Sequence, residues 1–174
     1  MSVEKVKEYF ASFGLEDRVL EFPVSSATVE LAAAALNCER GRIAKTLSFF
    51  IGEKVAVVVF AGDVKADNAK FKAYFGVKAK MLPPDAAEAL LGHPVGGVCP
   101  FALNKGVEVF LDVSLKRFET IFPACGSANS AIELTPLELE RYSNSRAWDR
   151  RRQANNGNLI SVCGRRLVEI ALGA

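Results

Sequence analysis

The sequence predicts a mixed α/β domain of α+β character, with a largely antiparallel central sheet or partial barrel and flanking helices. Three observations lead there. The chain has 174 residues, half of them apolar, enough to close one sizeable core. Its hydrophobic period switches from helical to alternating and back without a repeating βαβ rhythm. Its strand-like stretches come as a hairpin or as short runs between turn residues.

The elements follow in order. "VEKVKEYFASFG" spaces Val3, Val6, Phe10 and Phe13 along one helical face, and Gly14 suits the exit. "SSATVELAAAALNC" predicts a second helix, capped by Ser25 or Ser26 and ending near Asn37. "RIAKTLSFF" alternates, "GEK" turns and "VAVVVFAG" is continuously apolar, a hairpin with a buried second strand. "KADNAKFKAYFG" is a short lysine-rich helix, and "PPDAAEALLG" is another opened by proline. "GVEVFLDV" is an alternating strand, "TIFPACG" and "SAIELTP" are short strands, and "TPLELERYS" is a helix capped by Thr135. No internal repeat interrupts this order.

Composition changes near residue 143. Residues 1–143 carry sixteen Lys and Arg against eighteen Asp and Glu, whereas 144–174 carry six Arg against Asp149 and Glu169. The expected organisation is one domain over 1–143 and a basic C-terminal extension over 144–174. Within the extension, "SNSRAWDRRRQANNGN" reads as a linker or mobile arm and "LISVCGRRLVEIAL" as a small element docked on the body. A body so near neutrality has no global field for nucleic acid, so any RNA contact needs a local patch or the tail. No apolar run approaches the roughly 18 residues of a membrane span, and the charged N-terminus lacks a signal-peptide core. Cys38, Cys99, Cys125 and Cys163 are scattered, with no CxxC pair and no histidines at ligand spacing. A cytoplasmic protein with reduced thiols, no metal and no cofactor is expected.

Three segments carry candidate chemistry. Alternation in "RIAKTLSFF" puts Lys45 on the greasier face with Ile43, Leu47 and Phe49. An ammonium held there needs an anion or several acceptors, unless its stem packs and its head snorkels out. In "GHPVGGVCPFAL", Gly96 and Gly97 let main-chain N–H groups approach a ligand, as in an oxyanion hole. Glycine-rich turns are, however, more often only turns. His93 and Cys99 are the one plausible imidazole–thiol couple; the plainer reading is a packed thiol and a histidine bonded within a turn. In "CGSANSAIELTP", Gly126, Ser127 and Asn129 interrupt a strand that Ile132 resumes, which serves a polar ligand or closes a turn.

Taken together, "RIAKTLSFF", "VVVFAGDVKAD", "GHPVGGVCPFAL" and "GSANSAIELTP" resemble, in order and spacing, the YbaK/ProX-like aminoacyl-tRNA deacylases, free-standing relatives of the editing domain of bacterial prolyl-tRNA synthetase. The resemblance covers about residues 1–143. It implies hydrolysis of the ester joining a wrong small amino acid, such as Ala, Ser or Cys, to the end of tRNA-Pro. It implies Lys45 and the Gly96–Gly97 backbone as the catalytic groups, with Val98 and Pro100 in the same loop. Gly126, Ser127, Asn129 and Ile132 become pocket wall, Leu47, His93 and Cys99 become lining, and Asp63 matches an acidic position after the central strand. Thr46 stands where alanine-specific members carry asparagine. Lys65, Lys70, Lys72, Lys78 and Lys80 are the candidate acceptor-stem contacts, with prolyl-tRNA synthetase as a further partner. The alternative is a non-catalytic tRNA- or synthetase-binding module of the same fold.

Overall fold

The computed structural model describes residues 2–143, 159, 160 and 162–166. The first helix, α1 (Ser2–Ala11), buries Val3, Val6 and Phe10 of the expected stripe, whereas Phe13 falls in the turn beyond the helix and is exposed. The Phe10 ring meets Phe101 edge-on at 4.7 Å, which ties α1 to the glycine-rich loop region. A short strand β1 (Val19–Glu21) precedes α2 (Val29–Leu36). The cap of α2 is Thr28, whose hydroxyl accepts from Leu31 N. Ser25 and Ser26 lie in the loop before it, where the Ser26 hydroxyl donates to Ala128 O at 3.2 Å. Asn37 closes the helix in the left-handed conformation, which its short polar side chain tolerates.

The hairpin follows as β2 (Ile43–Ile51) and β3 (Lys54–Ala61), paired in register from Ala44↔Ala61 to Ile51↔Lys54. Residues Ala56 to Ala61 of β3 have no exposed surface, as the continuous apolar run requires. Next come β4 (Val64–Ala66), α3 (Asn68–Phe75), β5 (Lys80–Met81) and α4 (Pro84–Leu91). Then follow β6 (Glu108–Asp112), β7 (Phe122–Pro123), β8 (Ser130–Ile132) and α5 (Pro136–Tyr142). The capping box at the start of α5 joins Thr135 and Glu138 reciprocally.

The sheet is mixed and does not close into a barrel. Its strand order is β5-β2-β3-β6 with β9 (Leu159–Ile160) at the far edge, and β7 also pairs with β2. Strands β3 and β6, β6 and β9, and β2 and β7 run parallel. A separate pair joins β1 to β8, and β10 (Cys163–Arg166) pairs antiparallel with β4. The C-terminal element thus docks on both β6 and β4. The buried Asp112 carboxylate fixes it, accepting from Ser114 N and from Val162 N at 2.9 Å each. The arm expected over 144–158 lies outside the described residues. No helix among them is long and apolar enough to cross a membrane.

Candidate active site

Strand β2 is partnered by β3 along its length, but its other edge is shared. Strand β7 takes Ile43 and Ala44, and β5 takes Phe49 and Phe50. Between them, residues 45–48 meet no strand on that side. The Ser48 carbonyl accepts from Leu82 N at 3.1 Å, so Ser48 turns its peptide groups toward this edge. Alternation gives Thr46 the same direction.

A cavity of about 400 Å³ sits against the gap, within the range of small-molecule sites. Helix α2 closes one side with Val29, Ala32 and Leu36, and Leu82, Pro84 and Ala87 close another. Phe122, Ala124, Ser130 and Ala131 form the floor, and Val95, Gly96 and Val98 form the rim. Because the cavity straddles a strand edge, residues of both faces of β2 line it: Lys45 and Leu47 of one, Thr46 and Ser48 of the other.

Lys45 is the only titratable side chain among these lining residues. Its amine donates to Gly62 O at 3.4 Å and to Val64 O. Burial pushes its pKa below the ordinary lysine value, and nearby Asp63 partly restores it. Asp63 itself stays outside the cavity lining, held by the Arg117 guanidinium, whose Nη1 lies 2.9 Å from Oδ2. Its role here is to anchor the turn after β3 and to tune Lys45 through space.

The glycine bend divides its roles. Gly96 and Val98 line the cavity, whereas Gly97 is buried behind it and donates its N–H to Pro94 O at 3.0 Å. Pro100 is buried as well. The main-chain groups at the rim are therefore those of Gly96 and Val98.

His93 and Cys99 have no exposed surface and do not line the cavity. His93 Nε2 lies 2.6 Å from Phe101 O, a pure acceptor, so Nε2 carries the proton and Nδ1 accepts from the Ser2 hydroxyl at 2.6 Å. That tautomer cannot take a proton from Cys99 through Nε2, 3.5 Å from Sγ. Burial also pushes the Cys99 thiol up to about 12. The pair forms a packed support for the bend, the plainer of the two sequence readings.

The segment after Cys125 frames the cavity from behind. Asn129 Nδ2 donates to Phe22 O at 2.9 Å, and Phe22 N returns a bond to Asn129 O. The Ser127 hydroxyl lies 2.9 Å from the Asn129 amide oxygen Oδ1, an acceptor, and 2.7 Å from the Ser130 hydroxyl. Ile132 is core, opposite Val19. The lining falls instead to Ser130 and Ala131, along with the start of α2, groups that the sequence reading missed. The signals for them were the hydroxyl- and alanine-rich "SSATVELAAAAL", which reads equally as an ordinary helix, and "GSANSAIELTP", where Ser130 and Ala131 directly follow the residues singled out.

The five candidate lysines are exposed. Lys80 stands over the Phe50 ring at 5.6 Å and precedes Met81, a lining residue. Lys78 flanks the same shallow surface, and Lys70 donates to Cys163 O at 3.0 Å. Lys65 lies on β4 and Lys72 on α3.

A gap at one strand edge, one half-buried amine and a glycine rim thus surround a small hollow. The profile of the aminoacyl-tRNA editing domain family matches residues 24–142, a span that contains every lining residue of the cavity. The chain belongs to that family. It is 53% identical over 149 residues to uncharacterized protein YwhH of Bacillus subtilis (strain 168), covering 85% of this chain and 95% of that protein. It is 25% identical over 138 residues to proline–tRNA ligase of Bacillus cereus (strain AH820), covering 75% of this chain but 24% of the ligase. Among solved structures, a candidate trans-editing enzyme for prolyl tRNA synthetase superposes with TM-score 0.76 at 26% identity, over 85% of this chain and 95% of that one. Hypothetical protein APE2540 gives 0.77 at 27%, over 92% and 99%.

Proposed function

We propose that the chain is a trans-editing aminoacyl-tRNA deacylase, which hydrolyses the ester of a small amino acid wrongly attached to tRNA-Pro. The observation that carries this reading is the shared cavity: Lys45 and the Gly96–Val98 bend line one hollow at the break in β2. An aminoacyl ester is already activated and has a neighbouring ribose hydroxyl. A site that holds the carbonyl against main-chain donors and orients water or that hydroxyl needs little further machinery. Gly96 and Val98 would supply the donors, with Gly97 holding their turn. Lys45, resting on two carbonyl oxygens, would turn its charge toward the nucleotide end of the substrate. Lys78 and Lys80, close to the Met81 side of the mouth, would meet the acceptor stem.

Discrimination follows from size. A proline pocket rejects a smaller amino acid by only about 1–3 kcal/mol per methylene, so a second hollow that admits the smaller residue removes the error. One observation favours the second reading, a binding module. The lining has no carboxylate or imidazole to serve as general base.

The test is a deacylation panel of tRNA-Pro charged with Ala, Ser, Cys or Pro, with wild type and Lys45→Ala. Hydrolysis of a small-residue ester that Lys45→Ala loses supports the enzyme. Binding without turnover supports the module.

A further inference from the structure

Resting on the deacylase reading, we propose that the C-terminal element β9–β10 is a positioning part of the editing site: docked, it fixes the main chain that holds the Lys45 amine. The family profile ends at residue 142, so the strands concerned, Leu159–Ile160 and Cys163–Arg166, lie beyond it.

The Lys45 amine rests on the carbonyl oxygens of Gly62 and Val64, one on each side of Asp63. Two braces hold the Gly62 side. Ala61 N donates to Ser114 Oγ at 3.1 Å, and the Arg117 guanidinium clamps the Asp63 carboxylate. Val64 opens β4, and the only strand paired with β4 among the described residues is β10. Arg166 stands opposite Val64 and Cys163 opposite Ala66, so three steps of β10 span two of β4. That bulge bends the pair beside the residue that carries the second oxygen. Asp67 N, just past β4, donates to Val162 O at 2.7 Å.

Val162 also ties the element to the Gly62 side. Its N–H donates to Asp112 Oδ2, Asp112 Oδ1 accepts from Ser114 N, and Ser114 holds Ala61. Hydrogen bonds thus lead from Val162 toward both oxygens under the amine, one route through Asp67 and β4, the other through Asp112 and Ser114. A strand as short as β4 has little stability without a partner. Loss of β10 would let Val64 O move, and a shift of about 1 Å is enough to strip a catalytic group of much of its effect.

The test uses the full chain. It reads hydrogen exchange at 159–166, acetylation of Lys45 by an N-hydroxysuccinimide ester relative to exposed Lys105, and kcat/KM on the small-residue esters of tRNA-Pro. Val162→Pro removes the amide hydrogen, and Val162→Asp puts a carboxylate at a position with no exposed surface. Val162→Ile keeps the amide and the apolar side chain. Proline and aspartate are expected to speed exchange at 159–166, to raise Lys45 acetylation at least about threefold and to lower kcat/KM at least about tenfold. Isoleucine is expected to match wild type. In a Lys45→Met background, Val162→Pro is expected to change kcat/KM less than about twofold, because the group it positions is gone. An equal loss in both backgrounds, or a released element that leaves Lys45 acetylation unchanged, overturns the assignment and marks the element as a stability clasp only. Wild type in urea below its unfolding midpoint gives the reading without any variant. Lys45 acetylation is expected to rise with exchange at 159–166 and before exchange in β3; a rise only with β3 overturns the assignment. Acetylation and exchange need no turnover, so they decide it even where wild type hydrolyses none of the esters, the result that defeats the deacylase reading.

Discussion

Gly97 lies flat on the Gly126–Ser127 peptide: a Cβ built at Gly97 would stand 2.6 Å from the Gly126 carbonyl carbon and from Ser127 N. Gly126, at φ +87°, in turn presses on Ser2 O, 2.6 Å from where its own Cβ would be. The rim of the cavity, the segment behind it and the first turn of α1 are three backbones in direct contact. Gly97→Ala must push the first two apart. It is expected to cost about 1–3 kcal/mol of stability and to lower editing more than tenfold by moving Gly96 and Val98. Thermal melting and kcat/KM measured together check this; a variant that melts and edits like wild type would show the contact to be slack.

Lys45 gives the opposite signature. Burial already disfavours its charge, so the fold gains little from the ammonium. Lys45→Met fills the same space without the charge. It is expected to melt no lower than wild type while losing at least about 100-fold in kcat/KM. A large fall in melting temperature would mark the lysine as structural.

The thiols are expected to be chemically quiet. Cys99 and Cys125 are buried and their pKa values are raised by that burial, so neither is a thiolate at neutral pH. Iodoacetamide on the native protein should leave both unmodified, as mass spectrometry of the peptides would report. Cys99→Ala should keep editing within about threefold of wild type. Loss of turnover on alkylation of Cys99 would revive the thiol mechanism.

Protonation of His93 should destabilise the fold. Burial holds its pKa below the ordinary 6.5, against the Phe101 carbonyl, which raises it, while Lys5 lowers it further. With the folded value depressed, the unfolded chain binds the proton more readily. The contribution is therefore full above about 6.5 and declines as pH falls through that value toward the folded one. Melting temperature scanned from about pH 7.5 to 5 should slope downward, and His93→Gln should flatten the slope.

Asp112→Ala should release the C-terminal strands. It removes the acceptor for Val162 N and leaves that amide unpaired, a loss of about 1–3 kcal/mol. Hydrogen exchange at residues 159–166 should quicken while β3 stays protected. Unchanged protection there would mean that strand pairing alone holds the segment.

The sequence reached the fold through its periodic segments. The hairpin β2–β3, the stripe on α1 and the Thr135 cap follow from residue spacing alone, because each is decided by local contacts. The parallel pairings of β6, β7 and β9 were not legible. They join strands far apart in the chain, and nothing in the residues of one names the edge it will meet. The same division runs through the site. Lys45 and Gly96 stood out because an amine on an apolar face and a glycine pair are locally odd. Thr28, Thr46 and Ser130 looked ordinary, and only the gap between β5 and β7 gives Thr46 its position. His93 and Cys99 drew attention by their chemistry, but depth of burial decides their role, and depth is a property of the folded chain.

The main-chain rim has an evolutionary corollary. Peptide groups are present whatever residue occupies a position, so the grip proposed for the Gly96–Val98 backbone survives substitution of the side chains around it. Relatives sharing this scaffold could therefore exchange the residues that read their cargo while keeping the hand that holds it.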